Sequence, residues 1–399
     1  MSFFQSVTKL PSDPILTLPI TFAQDPRSFK VNLGIGAYKD GEGNNLILSS
    51  VKQAESFVVS KQKNKEYLPI DGDANFIKLT MELIFGESLL SKLSGRLFAA
   101  QAVGGTSALR IGADFLLQET SQTIYISTPT WPNHRLIFTR CGMNVKNYRY
   151  YDDVEKVLDF QGMCDDLSQM PEGSIIVLHG ICHNPTGIDL KMDQWKTLSA
   201  LIKHHRLIPF FDLAYQGFSG SLDQDAEAVR LFATEGHEML VANSFSKNFG
   251  LYCERVGSIA VITNKTDLLP NIASQVKQLI RANYSNPPRH GALIVAEVLQ
   301  SPFLKTLWID DLSAMRDRMQ LMRKQLILGL SSKNSARDWS FLEGQQGFFS
   351  FSGLTTNQVS RMIEKYAIYM PTNGRINVAG LNHHNLDYVI NAIHEIVRT

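Results

Sequence analysis

A lysine set just after two serines at the end of an apolar run has the surroundings of an amine nucleophile. The segment reads Asn243-Ser244-Phe245-Ser246-Lys247-Asn248-Phe249-Gly250, with Leu251 and Tyr252 adding apolar company. Desolvation favours the neutral amine needed to form a Schiff base. An exposed loop lysine is the commoner use of the residue, so this string alone leaves both open. Arg255 follows, placed to return to a phosphate shared with Ser244 and Ser246. In Phe210-Phe211-Asp212-Leu213-Ala214-Tyr215 a carboxylate ends an apolar run and a phenol follows three residues on. Such a carboxylate suits a ring nitrogen and such a phenol an adjacent ring oxygen, although an aspartate there also caps helices.

Other segments offer binding groups. Glycines and hydroxyls in Ala102-Val103-Gly104-Gly105-Thr106-Ser107 precede a helical stretch, where free N–H groups and the positive dipole end suit a phosphate. An ordinary capped turn looks the same. Thr128-Pro129-Thr130-Trp131-Pro132-Asn133-His134 fixes an indole between prolines, ready to stack on a planar ligand or to pack in a core. Arg281 and Arg375 carry forks that fit carboxylates, or surface ion pairs. His179 and His183 have helical metal spacing, but they lie where a strand enters an Asn184-Pro185 turn, so metal is excluded there. The pairs His204-His205 and His383-His384 sit in polar surroundings and read as solvated.

The elements that must position these groups alternate. Apolar runs at 123–127, 174–178, 208–211, 239–242 and 258–262 read as buried strands, with helical segments such as Met192–His204 between them. That alternation predicts an α/β domain with a mostly parallel sheet covered by helices. From about Leu312 the pattern changes to a helix over 313–330, short strands near 347–351 and 375–378, and a closing helix over 384–398, a smaller α+β layer.

Composition removes whole classes. A chain of 399 residues, 44% hydrophobic and 19% charged, has material for two globular domains. Lysine plus arginine number 39 against 38 acidic residues, and this balance argues against a nucleic-acid partner. No apolar run approaches the ~20 residues of a membrane span, and Met-Ser-Phe-Phe-Gln-Ser is not a secretion leader. Cys141, Cys164, Cys182 and Cys253 form no paired spacing and read as reduced thiols, so a cytoplasmic protein is expected.

Taken in order, these motifs resemble the fold-type I pyridoxal-phosphate aminotransferases, specifically their aspartate/aromatic (class I) subgroup. The resemblance runs from Asn32-Leu33-Gly34-Ile35-Gly36-Ala37-Tyr38 to Gly380. It is carried by His-Asn-Pro-Thr-Gly at 183–187, Asp-Leu-Ala-Tyr-Gln-Gly at 212–217, Ser-Phe-Ser-Lys-Asn-Phe-Gly at 244–250 and Arg-Ala-Asn-Tyr-Ser-Asn-Pro-Pro at 281–288. It implies a seven-stranded-type sheet in a large cofactor domain (46–312), a small domain from both chain ends (13–45 plus 313–399) and an N-terminal arm (1–12). It implies that Lys247 bonds the cofactor and shuttles a proton, that Asp212 holds the pyridine nitrogen protonated with His134 behind it, and that Asn184 and Tyr215 bond the ring oxygen. Gly105, Thr106, Ser244, Ser246 and Arg255 would bind phosphate, joined by Tyr67 from a neighbouring subunit, and Trp131 would stack on the ring. Arg375, with Gly36 and Asn184, would take the substrate α-carboxylate, and Arg281 of the other subunit the distal one.

Departures from the pattern are small: Glu66, Pro69, Ser107 and Phe245. The activity so implied is ping-pong transfer of the amino group of aspartate to 2-oxoglutarate by a homodimer. Lys39, Thr106 and Asn286 fit a dicarboxylate preference, while Ala37 and Glu66 near the substrate mouth leave aromatic donors as the rival. A ligand-sensing module or a pyridoxal-phosphate lyase or decarboxylase are the competing readings. The first would carry an added DNA-binding domain, and little precedes the matching segments.

Overall fold

The computed structural model describes residues 2–10, 14–333 and 337–398. The expected limit between arm and small domain at residue 12 falls outside the described residues.

Seven strands form the central sheet: β1 (Leu97–Val103), β2 (Thr123–Thr128), β3 (Asn144–Arg149), β4 (Ile175–His179), β5 (Ile208–Leu213), β6 (Met239–Ser244) and β7 (Val256–Ile262). Their spatial order is β1-β7-β6-β5-β4-β2-β3. Only β7 is antiparallel to its neighbours, β1 and β6; the other pairs are parallel. A parallel sheet must be covered on both faces, and β4, β6 and β7 are buried along their whole lengths.

This topology gathers the chemistry at one edge. Strands β1, β2, β4, β5 and β6 all end there, so the segments after Val103, Thr128, His179, Asp212 and Ser244 meet. Because β7 runs the opposite way, its beginning lies at the same edge, which returns Arg255 to the side of Ser246.

A second core lies beside the sheet. Val31 and Leu33 pack with Leu354, Ile376, Val378 and Ile393, so this core draws on both ends of the chain. The helix expected over 313–330 is longer, running unbroken over Pro302–Ser332. Trp308, Leu312, Met315 and Met319 enter a core shared with the sheet-bearing part. Met322, Leu326, Ile327 and Leu330 enter the other. The expected domain limit at 312 therefore falls inside a helix, and the change of core comes between Met319 and Met322. The short strands are Phe349–Phe351 and Arg375–Asn377, paired antiparallel with Phe351 opposite Arg375. The closing helix begins at Leu386 rather than 384. Among the described residues all four cysteines are free, and no single helix is long and apolar enough to cross a membrane.

Candidate active site

A cavity of about 310 Å³ opens at the strand-end edge, lined by Gly36, Gly105, Thr106, Trp131, Asn184, Asp212, Tyr215, Ser244, Ser246, Lys247, Arg255 and Arg375. Twelve of the fifteen residues expected at the site are thus together. His134 stands one layer behind. Tyr67, 89% exposed, and Arg281, also exposed, are not on the wall of this cavity.

Lys247 follows β6 and overlies the Tyr215 ring, its Nζ 5.1 Å from the centroid. Burial pulls the amine down from 10.5 to about 8; Asp212 opposes this, and Arg255 and Arg375 reinforce it. Asp212 ends β5. Burial pushes its carboxyl up, but the hydrogen bond and charge of His134, with His179 and Lys247, outweigh that and leave it below its ordinary value.

Behind Asp212 a polar string runs into the protein. His134 Nε2 lies 2.9 Å from Asp212 Oδ2. Thr130 Oγ1 bridges His134 Nδ1 at 2.8 Å and His179 Nε2 at 3.0 Å. A ring nitrogen facing a carboxylate is the protonated one, so His134 donates to Asp212. Burial holds His179 down at about 3, so its ring is neutral at physiological pH.

One end of the cavity is a cradle of hydroxyls and backbone. Ser244 Oγ donates to Ser246 Oγ at 3.1 Å, and Arg255 Nη1 donates to Ser246 Oγ at 3.2 Å. The helix Gly104–Glu119 starts here and offers unpaired N–H groups. Gly104 has φ +72°, and a Cβ on it would come within 2.4 Å of the Arg255 guanidinium, so only glycine lets the arginine sit over the helix start.

At the other end Arg375 is buried on the short strand pair. Its Nη1 donates to Asn184 Oδ1 at 3.0 Å and its Nη2 to Gly34 O at 2.6 Å. The guanidinium lies 4.1 Å from the Phe349 centroid. Burial lowers its pKa to about 10, which still leaves it charged at neutral pH. Its Nε is buried and has no partner in the protein. A charged donor left so is costly unless a ligand completes it. A Cβ on Gly36 would stand 2.8 Å from Phe349 Cζ, so this glycine lets the chain pass close to the ring. With Lys247, Arg255 and Arg375 against the single carboxylate of Asp212, the lining attracts anions.

Four wall or relay residues carried no usable sequence signal. Thr130 lies between the prolines with nothing in its spacing to mark a role, and the spacing of His179 suggests only a metal ligand. Tyr252, whose hydroxyl accepts from Tyr38 N at 2.9 Å, sits five residues past the lysine. Phe349 arrives from the far end of the chain. Thr106 is on the wall, whereas Lys39 donates to Gly43 O at 2.9 Å and Asn286 Nδ2 to Leu68 O at 2.7 Å, both off it.

The chain belongs to the class I and II aminotransferases, whose family profile matches residues 28–393, and within them to the class I aspartate/aromatic branch. It is therefore an enzyme, a transaminase. It is 45% identical over 395 residues to an aspartate aminotransferase of Haemophilus influenzae, covering 99% of this chain and 100% of that one. It also resembles the crystal structure of an aromatic-amino-acid aminotransferase from Burkholderia pseudomallei covalently bound to pyridoxal phosphate. There the TM-score is 0.96, with 46% identity and 100% of both chains covered. An aspartate aminotransferase from the cytoplasm of Saccharomyces cerevisiae matches with a TM-score of 0.95 at 38% identity, covering 99% of this chain and 98% of that one.

Proposed function

We propose that this enzyme transfers the amino group of L-aspartate to 2-oxoglutarate, giving oxaloacetate and L-glutamate, with pyridoxal 5′-phosphate as cofactor. The observation that carries the reading is one cavity holding an amine drawn toward neutrality, an ionised carboxylate and a buried arginine with an unused donor. The aspartate aminotransferases among its relatives support aspartate as donor, and the acceptor rests on the motif resemblance.

The residues fit the cofactor. The cradle of Gly105, Thr106, Ser244, Ser246 and Arg255 has the charge and donors for its phosphate; Asp212 would hold the ring nitrogen, and Asn184 and Tyr215 would bond the ring oxygen. Trp131 offers a flat apolar face, and His134 orients Asp212. Pyridoxal phosphate, when bound, supplies an aldehyde that accepts the amino group and a pyridinium that withdraws electrons from the reacting carbon. Lys247 Nζ, drawn by burial toward the neutral amine, removes the proton from the substrate α-carbon and holds it. Asp212, kept ionised, retains a proton on the ring nitrogen. Arg375 fixes the α-carboxylate with its fork, with Asn184 and Gly36 shaping the space beside it, while Trp131 and Phe349 keep water away.

We read the active enzyme as a cytoplasmic homodimer with shared sites. Phe3, Phe4, Val7, Ile47 and Val59 are exposed apolar residues that a second copy would cover. Tyr67 and Arg281, outside their own cavity, would then serve that of the second copy, at the phosphate and at the distal carboxylate. The arm is taken as 1–12, the large domain as 46–312 and the small one as 13–45 with 313–399. Aromatic donors are the second reading, favoured by the apolar wall of Ile35, Leu109, Trp131 and Phe349.

The test is initial-rate measurement with aspartate, tyrosine and phenylalanine against 2-oxoglutarate, following oxo-acid release. Aspartate should have the highest kcat/KM. A higher value for an aromatic donor overturns the preference, and no oxo acid from any donor overturns the assignment.

A further inference from the structure

Away from the cavity, Glu42, His383 and His384 bring a carboxylate and two imidazoles to one point on the surface, their ligand atoms all within 4.8 Å of one another. This is the histidine pair that sequence reading left to solvent. His384 Nε2 lies 3.2 Å from Glu42 Oε2, and the two imidazole centroids are 3.7 Å apart. Zinc bonds of about 2.0–2.1 Å in a tetrahedron set neighbouring ligand atoms roughly 3.3 Å apart. The Glu42–His384 edge already has that spacing.

Both segments are held in place before any ion arrives. Asp40 Oδ1 accepts from Glu42 N at 3.0 Å and from Asn44 N at 2.8 Å, which fixes the turn that displays Glu42. Asn382 Oδ1 accepts from His384 N at 3.0 Å and Asn385 N at 3.1 Å, which fixes the turn that displays the histidines. Beneath them Arg318 ties the two together. Its guanidinium donates to Tyr38 Oη at 2.8 Å, Leu381 O at 2.8 Å and Ala379 O at 2.7 Å, and also to Lys39 O. An exposed His384–Glu42 ion pair would contribute little and would not use His383. Three donors converging on one point suit a metal better than they suit a salt bridge.

We propose that Glu42, His383 and His384 form a surface site for a borderline divalent cation of the Zn²⁺ class, with water completing its coordination. Two imidazoles with one carboxylate suit Zn²⁺, Cu²⁺ or Ni²⁺, whereas Mg²⁺ and Ca²⁺ require mostly oxygen. The ion would cross-link the turn that continues from cavity residues 35–37 to the turn before the closing helix. Because the three ligands meet only in the folded chain, the metal stabilises that state in proportion to the logarithm of its concentration.

Isothermal titration of the holoenzyme with ZnCl₂, in a non-coordinating buffer with excess Mg²⁺, tests this. One zinc per chain should bind through the surface site. Affinity should fall by at least about 10-fold in His383→Gln, in His384→Gln and in Glu42→Gln, since even outer partners of a ligand typically cost 10- to 100-fold. A His204→Gln/His205→Gln variant should bind as the parent does. Melting temperatures without metal should be unchanged in the Glu42, His383 and His384 variants, because these side chains are solvent-exposed. Undiminished affinity and stoichiometry in a His383→Gln/His384→Gln variant, competition by Mg²⁺, or no zinc binding to the parent protein each overturns the site.

Discussion

Replacing Arg375 by lysine keeps a positive charge at the cavity wall and removes the planar fork. The native guanidinium spends Nη1 on Asn184 Oδ1 and Nη2 on Gly34 O, so what remains for a carboxylate is the unpartnered Nε and the outer lobes of the two Nη groups. A lysine ammonium cannot hold both protein acceptors and still present two parallel donors. The loss is at least one charge-assisted hydrogen bond, about 1.5–3 kcal/mol, which corresponds to roughly 10- to 150-fold in kcat/KM. Arg375→Ala removes the second bond and the charge, and should cost ~10²- to 10⁴-fold. Single-turnover half-reactions with aspartate and with phenylalanine give kcat/KM without a dicarboxylate acceptor in the mixture. Both donors should lose equally, because the α-carboxylate is common to them. Thermal melting of each variant separates this loss from damage to the Gly34 and Asn184 contacts. Lysine at near-parental kcat/KM, or a loss confined to aspartate, would refute the assignment of Arg375 to the α-carboxylate.

Other outcomes follow from the same geometry. Arg281→Ala should lower kcat/KM for aspartate by ~10- to 1000-fold while sparing phenylalanine, and equal losses for both donors would remove its distal-carboxylate role. Asp212→Asn should leave cofactor bound but slow α-proton removal by at least ~100-fold, which stopped-flow absorbance reads directly; an unchanged rate would make the aspartate a helix cap. In the cofactor-free protein, a lysine moved from 10.5 to about 8 costs about 3 kcal/mol wherever it is charged in both folded and unfolded states. That penalty is full below pH 8 and gone above 10.5, so Lys247→Met should raise the melting temperature of cofactor-free protein at pH 7, by an amount that shrinks as pH rises through this window. A destabilised methionine variant at pH 7 would contradict the burial of the charge.

The strings around Lys247, Asp212 and Asn184 were legible because each packs its chemistry and its strand end into fewer than a dozen consecutive residues. Edge strands were not. Asn144–Arg149 reads Asn-Val-Lys-Asn-Tyr-Arg, largely exposed and with no apolar run to detect. Leu97–Val103 is interrupted by Gln101, which is buried because Pro288 O accepts from its Nε2 at 2.7 Å. Pro302 occupies the first turn of the long helix behind the Ser301 cap, where its missing N–H is no loss. Periodicity starts the closing helix at 384, two residues early, because it does not register the turn made by Asn382. Phe349 reaches the cavity through a strand pairing with Arg375–Asn377 that no local pattern encodes. His179 defeats spacing arguments altogether: its part is set by Thr130, 49 residues away.

The 31-residue helix Pro302–Ser332 serves one core up to Met319 and another from Met322. Its length is therefore frozen. One residue inserted between those methionines would turn everything downstream by about 100°, swinging Met322, Leu326 and Leu330 out of their core. Seven inserted residues would nearly restore the phase, but would push the second core roughly 10 Å along the axis and part Arg375 from Asn184. Descendants of this sequence are thus free to change letters along that stretch, and a gain or loss of even one codon there should be eliminated.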